Sequence, residues 1–555
     1  MEGTTITTTC WVPRGFAARN PRRVEMDEEE FDRIAAMAKL QLEDAREEME
    51  VEVEGRKTDD AAEEKEGDVE MVDVETEGKT VKEKSQKEKE EEDAVVKEFD
   101  LENYDEPGED EVIGENLVLG NIRSLAYHAP GEEDPYITLK DDQDDEEREE
   151  LEILPSDNLL LVGKLEDEVA HLEVYVYEDE GEGNLYVHHD IMLPAVPLCL
   201  EWLDVPVSSS APITPESRGN FVAIGTTEPE IEIWDLDVVD GMFPNAILGQ
   251  QDDDSAKARK KKKKKAKAND ERHVGAVQAL AGNRSHRNLL ASGSEDKTVK
   301  LWDLTTAKCA KSYSYHTGNV CALAWHPTEA TSLLSGSYDR TVVWADMRAP
   351  DAKHPRWGVE SDVEQIRWDP HDANFFYVST EGGLVYKYDS RTLPRSPADS
   401  RPVWTLQAHD KACSSFALNP MVPGFLATGG QDKVVKLWNT ESPSGGPSMV
   451  VSRDMDVGKV FSVGFAPDKE VGFVLSVAGT AGVVNIWDTS TNGGVRRVFG
   501  DRVKAREGRG EDAVIAAAES DSDESDSDEE GGMEIGDAGP DGWESDSMDE
   551  DSDSK

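Results

Sequence analysis

The sequence predicts an all-β protein built on one β-propeller of seven blades, with acidic disordered extensions at both ends. Three observations carry that prediction. A phrase of a dozen residues recurs, as GSEDKTVKLWDL (Gly293 to Leu304), GSYDRTVVWADM (Gly336 to Met347) and GGQDKVVKLWNT (Gly429 to Thr440). Two separate markers keep one period through the middle of the chain. The apolar or alternating runs between Gly, Asp, Asn and Pro turns are short, as in LLSGS and TVVWADM, which is the pattern of strands rather than helices.

The markers set the blades. Asp303, Asp346, Asp389, Asn439 and Asp488 hold one slot at intervals of 43, 43, 50 and 49 residues. Pro327, Pro370, Pro420 and Pro467 end the opening strand of each unit at intervals of 43, 50 and 47. IEIWDLD (Ile231 to Asp237) is a further copy, and LEVYVYED (Leu172 to Asp179) a faded one with Tyr177 in the Trp slot. Units of roughly 40–45 residues with four short strands match a propeller blade of the WD40 type. One such sheet cannot bury both faces alone, so blades pack radially. Tyr177, Trp234, Trp302, Ala345, Tyr388, Trp438 and Trp487 mark seven blades, with Trp344 slipped by one residue beside Ala345. N-terminal strands are expected to complete the C-terminal blade and close the ring. An eighth blade starting at Asn116 to His128 is the weaker count.

Within a WD40 blade an Asp, a His, a Ser or Thr and the third-strand Trp form one hydrogen-bonded chain. Here the sets are Asp296, His273, Ser292 and Trp302; Asp339, His316 and Ser335; and Asp432, His409, Thr428 and Trp438. With Trp487 these are scaffold residues. Each bond contributes only about 1 kcal/mol, but losing one partner leaves the others buried and unsatisfied.

Composition bounds the rest. The 555 residues carry a net charge of −60, 32% are charged, and mean hydropathy is −0.62. Such averages describe one real core with solvated arms. The expected organisation is an N-terminal partner-binding arm with a short amphipathic helix (1–50), an acidic disordered linker (51–115), the propeller (116–500) with a Lys-rich disordered insertion (241–270), and an acidic Ser/Asp-rich tail (501–555). Five dispersed cysteines without a C-x-x-C pair argue against a disulfide framework or zinc site and for a reducing compartment. No apolar run is long enough to span a membrane, and no signal-peptide layout opens the chain.

Four segments invite a functional reading. In CWVPRGFAARNPRR, Trp11, Val12, Pro13 and Phe16 alternate with Arg14, Arg19, Arg22 and Arg23, a composition that becomes ordered on a partner surface; folding back on the propeller is the alternative. Phe31, Ile34, Ala38 and Leu42 would line one face of a helix capped by Asp27. Lys257, Arg259, Lys260, Lys261, Lys262, Lys263, Lys264, Lys265 and Lys267 form a cationic run suited to nuclear localisation or RNA contact, unless it is a solvated loop. Ser520, Ser525, Ser527 and Ser547 each have an acidic residue three positions on, as acidophilic kinases require, and the tail suits basic partners.

Catalytic signals are absent or false. The P-loop-like GFLATGGQDK (Gly424 to Lys433) has Gly430 where Lys is required. His188, His189 and Asp190 read as a solvent-facing pair with its neighbour rather than metal ligands. No enzyme, cofactor or metal is expected, nor a small-molecule substrate or membrane partner.

CWVPRGFA, GNIRSLAYH, SYDRTVVWADMR, QIRWDPHDANFFYVSTEGGLVYKYD and the acidic segments together resemble the periodic tryptophan protein 1 family over nearly the whole chain. That resemblance implies a nucleolar, nuclear scaffold in large (60S) ribosomal subunit assembly and pre-rRNA processing. Its partners would be assembly factors, ribosomal proteins of the large-subunit precursor and pre-rRNA. The alternative it implies is a histone-binding chromatin adaptor at ribosomal DNA; a ubiquitin-ligase substrate receptor is a further WD40 role that no residue here favours.

Overall fold

The computed structural model describes residues 3–23, 151–207, 217–250, 270–349, 352–442, 445–500 and 512–517. Among these, seven four-stranded antiparallel sheets form the blades of a propeller. Blade 1 comprises Thr5–Val12, Asn158–Glu166, Val169–Glu178 and Asn184–Leu193; blade 2, Pro197–Leu203, Phe221–Thr226, Ile231–Asp235 and Ala246–Leu248. Blade 3 comprises Val277–Gly282, Leu289–Ser294, Val299–Asp303 and Lys308–Tyr313; blade 4, Val320–Trp325, Ser332–Ser337, Thr341–Asp346 and Arg356–Gly358. Blade 5 comprises Val363–Trp368, Phe375–Thr380, Leu384–Asp389 and Trp404–Gln407; blade 6, Ser415–Leu418, Phe425–Gly429, Val434–Asn439 and Ser448–Asp454. Blade 7 comprises Val460–Phe465, Val474–Gly479, Val484–Asp488 and Val514–Ala516.

The first strand of each blade packs against the first strand of the next, and Val460–Phe465 returns to Thr5–Val12. The ring is closed. Its core lies between blades: one apolar cluster runs from Leu159 and Val174 in blade 1 to Trp202 and Val222 in blade 2, and another from Leu437 in blade 6 to Val463 in blade 7. The recurrent glycine of the repeated phrase is where the next blade approaches. A Cβ on Gly293 would stand 2.6 Å from Val320 Cγ1, and one on Gly429 2.5 Å from Val460 Cγ1. Any larger residue there would push neighbouring blades apart.

Three expected boundaries change. The propeller takes its first strand from Thr5–Val12, paired with Asn158–Glu166, so residues 5–12 are not a free arm. The N-terminal strand completes blade 1 rather than the C-terminal blade, because blade 7 gains its own outer strand from Val514–Ala516, beyond the expected end at 500. Ala246–Leu248, inside the expected 241–270 insertion, is the outer strand of blade 2. The helix of residues 27–42, the segment 116–128, the Lys257–Lys267 run and Ser520, Ser525, Ser527 and Ser547 all lie outside the described residues.

Candidate functional site

Residues 3–23 supply the clearest device. Trp11 donates its indole N–H to the Gly464 carbonyl of blade 7 at 3.1 Å, and Thr9 Oγ1 lies 2.7 Å from Ser462 Oγ. Trp325 and Trp368 do the same one blade back, to the carbonyls of Ala281 (2.9 Å) and Ala324 (3.2 Å). Trp11-Val12-Pro13 is therefore the blade 1 copy of Trp325-His326-Pro327 and Trp368-Asp369-Pro370. Val12 is buried, and Trp11 stands edge-on to Tyr177 at 5.9 Å.

Past the strand, the chain crosses one end of the ring. The Arg14 amide donates to Asp468 of blade 7 (3.0 Å), and its guanidinium to Asn158 (2.8 Å), while Asn158 also donates to Asp468 (2.7 Å). Phe16 sits edge-on to Trp202 of blade 2 at 4.8 Å. The Ala18 amide donates to the Asp237 carboxylate at 2.9 Å, and Arg22–Arg23 pair in parallel with Val238–Val239. Trp11, Val12, Pro13, Arg14 and Phe16 are thus engaged with the protein's own blades 7, 1 and 2. This is the fold-back alternative: a strand with a ready sheet edge and complementary pockets binds its own ring. Arg19, Arg22 and Arg23 differ. Their side chains remain 66%, 76% and 53% exposed, with Arg19 paired to Glu152 and long contacts from Arg22 to Asp235 and Arg23 to Asp240.

The scaffold sets assemble as hydrogen-bonded chains. In blade 3, His273 Nδ1 is 2.9 Å from Asp296 and Nε2 is 2.6 Å from Ser292 Oγ, to which Trp302 donates at 2.8 Å. A neutral imidazole protonated at Nδ1 satisfies every member: it donates to Asp296 and accepts from Ser292. Burial holds His273 below its ordinary pKa, against the pull of Asp296. Burial alone would raise Asp296, but bonds from His273 and Thr298 outweigh it and bring the carboxyl down to about 2. Blade 6 repeats the chain with His409 at 2.9 Å from both Asp432 and Thr428, and Trp438 donating to Thr428 at 2.9 Å.

Blade 4 departs from the pattern. His316 reaches Asp339 at 3.1 Å and Ser335 at 2.8 Å, but Ala345 occupies the Trp position. No indole donates to Ser335 here; its hydroxyl instead donates to the Tyr315 hydroxyl at 3.3 Å. Trp344, one register away, joins His326, Asn374, Arg391 and Leu393 around an open cleft of about 500 Å³ between blades 4 and 5. Trp487 in blade 7 is fully buried with its N–H unpartnered, since Val477 holds the place of Ser292 and Thr428; Arg453 lies over its ring at 5.3 Å.

Neither false site recovers chemistry. A Cβ on Gly430 would stand 2.5 Å from His409 Nδ1, leaving no phosphate cradle. His188 and His189 do not both face solvent: His189 is buried with its Nδ1 2.7 Å from that of His188, and burial, with His188 beside it, pushes its pKa down to about 4. Among the described residues no group of three or more His, Cys, Asp and Glu side chains comes together to hold a metal ion, and no helix is long and apolar enough to cross a membrane.

Comparison with known proteins agrees with this geometry. The WD domain, G-beta repeat family matches residues 267–303, 307–344 and 400–439, which span most of blades 3, 4 and 6 and the outer strand of blade 5. Periodic tryptophan protein 1 of Saccharomyces cerevisiae is 36% identical over 535 residues, covering 89% of each chain. The chain belongs to the periodic tryptophan protein 1 family. An uncharacterised WD repeat-containing protein of Schizosaccharomyces pombe is 45% identical over 507 residues, covering 90% of this chain and 91% of that one. The Drosophila melanogaster periodic tryptophan protein 1 homolog is 30% identical over 54% of this chain and 61% of its own. As a family member the chain is a WD-repeat propeller, and the strap of residues 3–23 is part of that ring.

Proposed function

We propose that this chain is a non-catalytic scaffold in nucleolar assembly of the large ribosomal subunit and in pre-rRNA processing. The observation that carries the reading is family membership over nine-tenths of the chain's length, joined to a ring whose buried His–Asp clusters are spent on its own fold. A rigid ring offers several loop surfaces to different neighbours at once. The net charge of −60 disfavours broad contact with RNA and favours basic ribosomal proteins and assembly factors. RNA contacts would gather at the few exposed cations of the strap, Arg19, Arg22 and Arg23. Depletion of the protein tests this. It should lower free large subunits relative to small ones and cause large-subunit rRNA precursors to accumulate. Unchanged subunit ratios with altered ribosomal DNA transcription would support the chromatin adaptor instead.

A further inference from the structure

The turn between the third and fourth strands of blade 5, residues 390–403, carries an exposed Ser396 followed by Pro397. Ser396 is extended, with φ −144° and ψ 160°, the conformation that a following proline enforces and that a protein kinase groove reads. Its hydroxyl is committed only to Asp399, at 2.8 Å on the exposed surface. The bonds that shape the turn here are local, from the Asp399 amide to the Ser396 carbonyl and from the Ser400 amide to the Pro397 carbonyl. Little structure would be lost in presenting these residues to an enzyme.

The far side of the turn touches blade 4. Ser400 Oγ accepts the Gly358 amide at 2.8 Å and donates to the Pro397 carbonyl at 2.8 Å, and the Pro397 carbonyl lies so close to Gly358 that a Cβ there would stand 2.6 Å from it. Gly358 ends the short outer strand of blade 4, Arg356–Gly358. One turn of blade 5 thus holds the edge of its neighbour.

We propose that Ser396 is a phosphoacceptor for a proline-directed protein kinase, and that the phosphate weakens this hold on blade 4. The kinase moves the γ-phosphoryl group of ATP to Ser396 Oγ: the new O–P bond forms as the bridging P–O bond to the β-phosphate breaks, ADP leaves, and the hydroxyl proton passes to the kinase's base. The esterified oxygen can no longer donate to Asp399, and two like charges then face each other where one bond had been. The 3-10 turn Pro397–Asp399 opens, and Ser400 loses its place beside Gly358. The inference is independent of the ribosomal reading.

The test treats the native full-length protein with a cyclin-dependent-type kinase and ATP, mapping phosphate by mass spectrometry. Thr214–Pro215 and Ser442–Pro443 are the chain's other such steps and serve as internal comparators. The expected result is phosphate on Ser396 of the folded protein, absent in Ser396→Ala and reduced at least tenfold in Pro397→Ala. Hydrogen exchange at Gly358 should accelerate severalfold in the phosphorylated protein. Phosphate on Ser396 only after heat denaturation would overturn the site, and full phosphorylation with unchanged exchange at Gly358 would overturn the effect on blade 4.

Discussion

The indole of Trp11 donates to the carbonyl of Gly464 at 3.1 Å, so residues 453 positions apart in the chain are adjacent in the ring. This bond and the strand around it decide how the propeller closes. The strap is structural before it is anything else.

Replacing Trp11 with Ala should therefore lower stability by about 3 kcal/mol, through lost packing and an unpaired carbonyl. Chemical denaturation monitored by circular dichroism measures it. Deleting residues 1–23 should be far worse, exposing the edge of Asn158–Glu166 and producing aggregation.

The hydrogen-bonded chains can be ranked. His273→Ala removes the donor to Asp296 and the acceptor for Ser292, both buried, and should cost about 2–4 kcal/mol. Tyr315→Phe deletes only a 3.3 Å acceptor for Ser335 Oγ, and should cost about 1 kcal/mol or less. Equal losses in thermal melts of the two variants would contradict the minor part given to Tyr315.

A stabilising change is available in blade 7. Val477→Thr places a hydroxyl where Thr428 stands in blade 6, within reach of the unpartnered Trp487 N–H, and it can donate to the Asn485 carbonyl as Thr428 does to that of Lys436. A gain of about 1 kcal/mol is expected. A loss in urea titration would mean that the added polar group finds no partner.

Glu364 gives a pH signature. Burial, with Glu381 and Asp362 nearby, pushes its carboxyl up to about 7, from an ordinary 4.5. Its ionised form therefore opposes folding, fully so above pH 7 and not at all below about pH 4.5. Glu364→Gln should stabilise the protein by about 2 kcal/mol at pH 8, and the gain should fade as pH drops through that window. The difference between variant and parent unfolding free energies at pH 8 and pH 5 measures it; a pH-independent difference would contradict the assignment.

Much of this was legible in the sequence, and the exceptions have physical causes. Blade number followed from the Trp and Pro periods because each blade is a local unit whose turns and strands sit within a few dozen residues. Asp296, His273 and Trp302 were legible for the same reason. The place of Trp11 was not, although Trp11-Val12-Pro13 repeats the Trp-x-Pro signature of Trp325 and Trp368. Its strand pairs with one that begins at Asn158, and no local pattern reports a partner that distant. Alternating aromatics and arginines fit a partner's surface as well as the protein's own, so composition could not choose. Tyr315 escaped notice because it precedes the strand that it serves. His189 escaped because its burial depends on the unusually long strands of blade 1 rather than on its neighbours in sequence.

The proposed role is tested most directly by gradient sedimentation of the tagged full-length protein from nuclear extract, with and without ribonuclease. The account predicts comigration with large-subunit precursor RNA and a shift to light fractions after ribonuclease treatment. Light fractions in both cases, with histones retained and no precursor RNA, would contradict it.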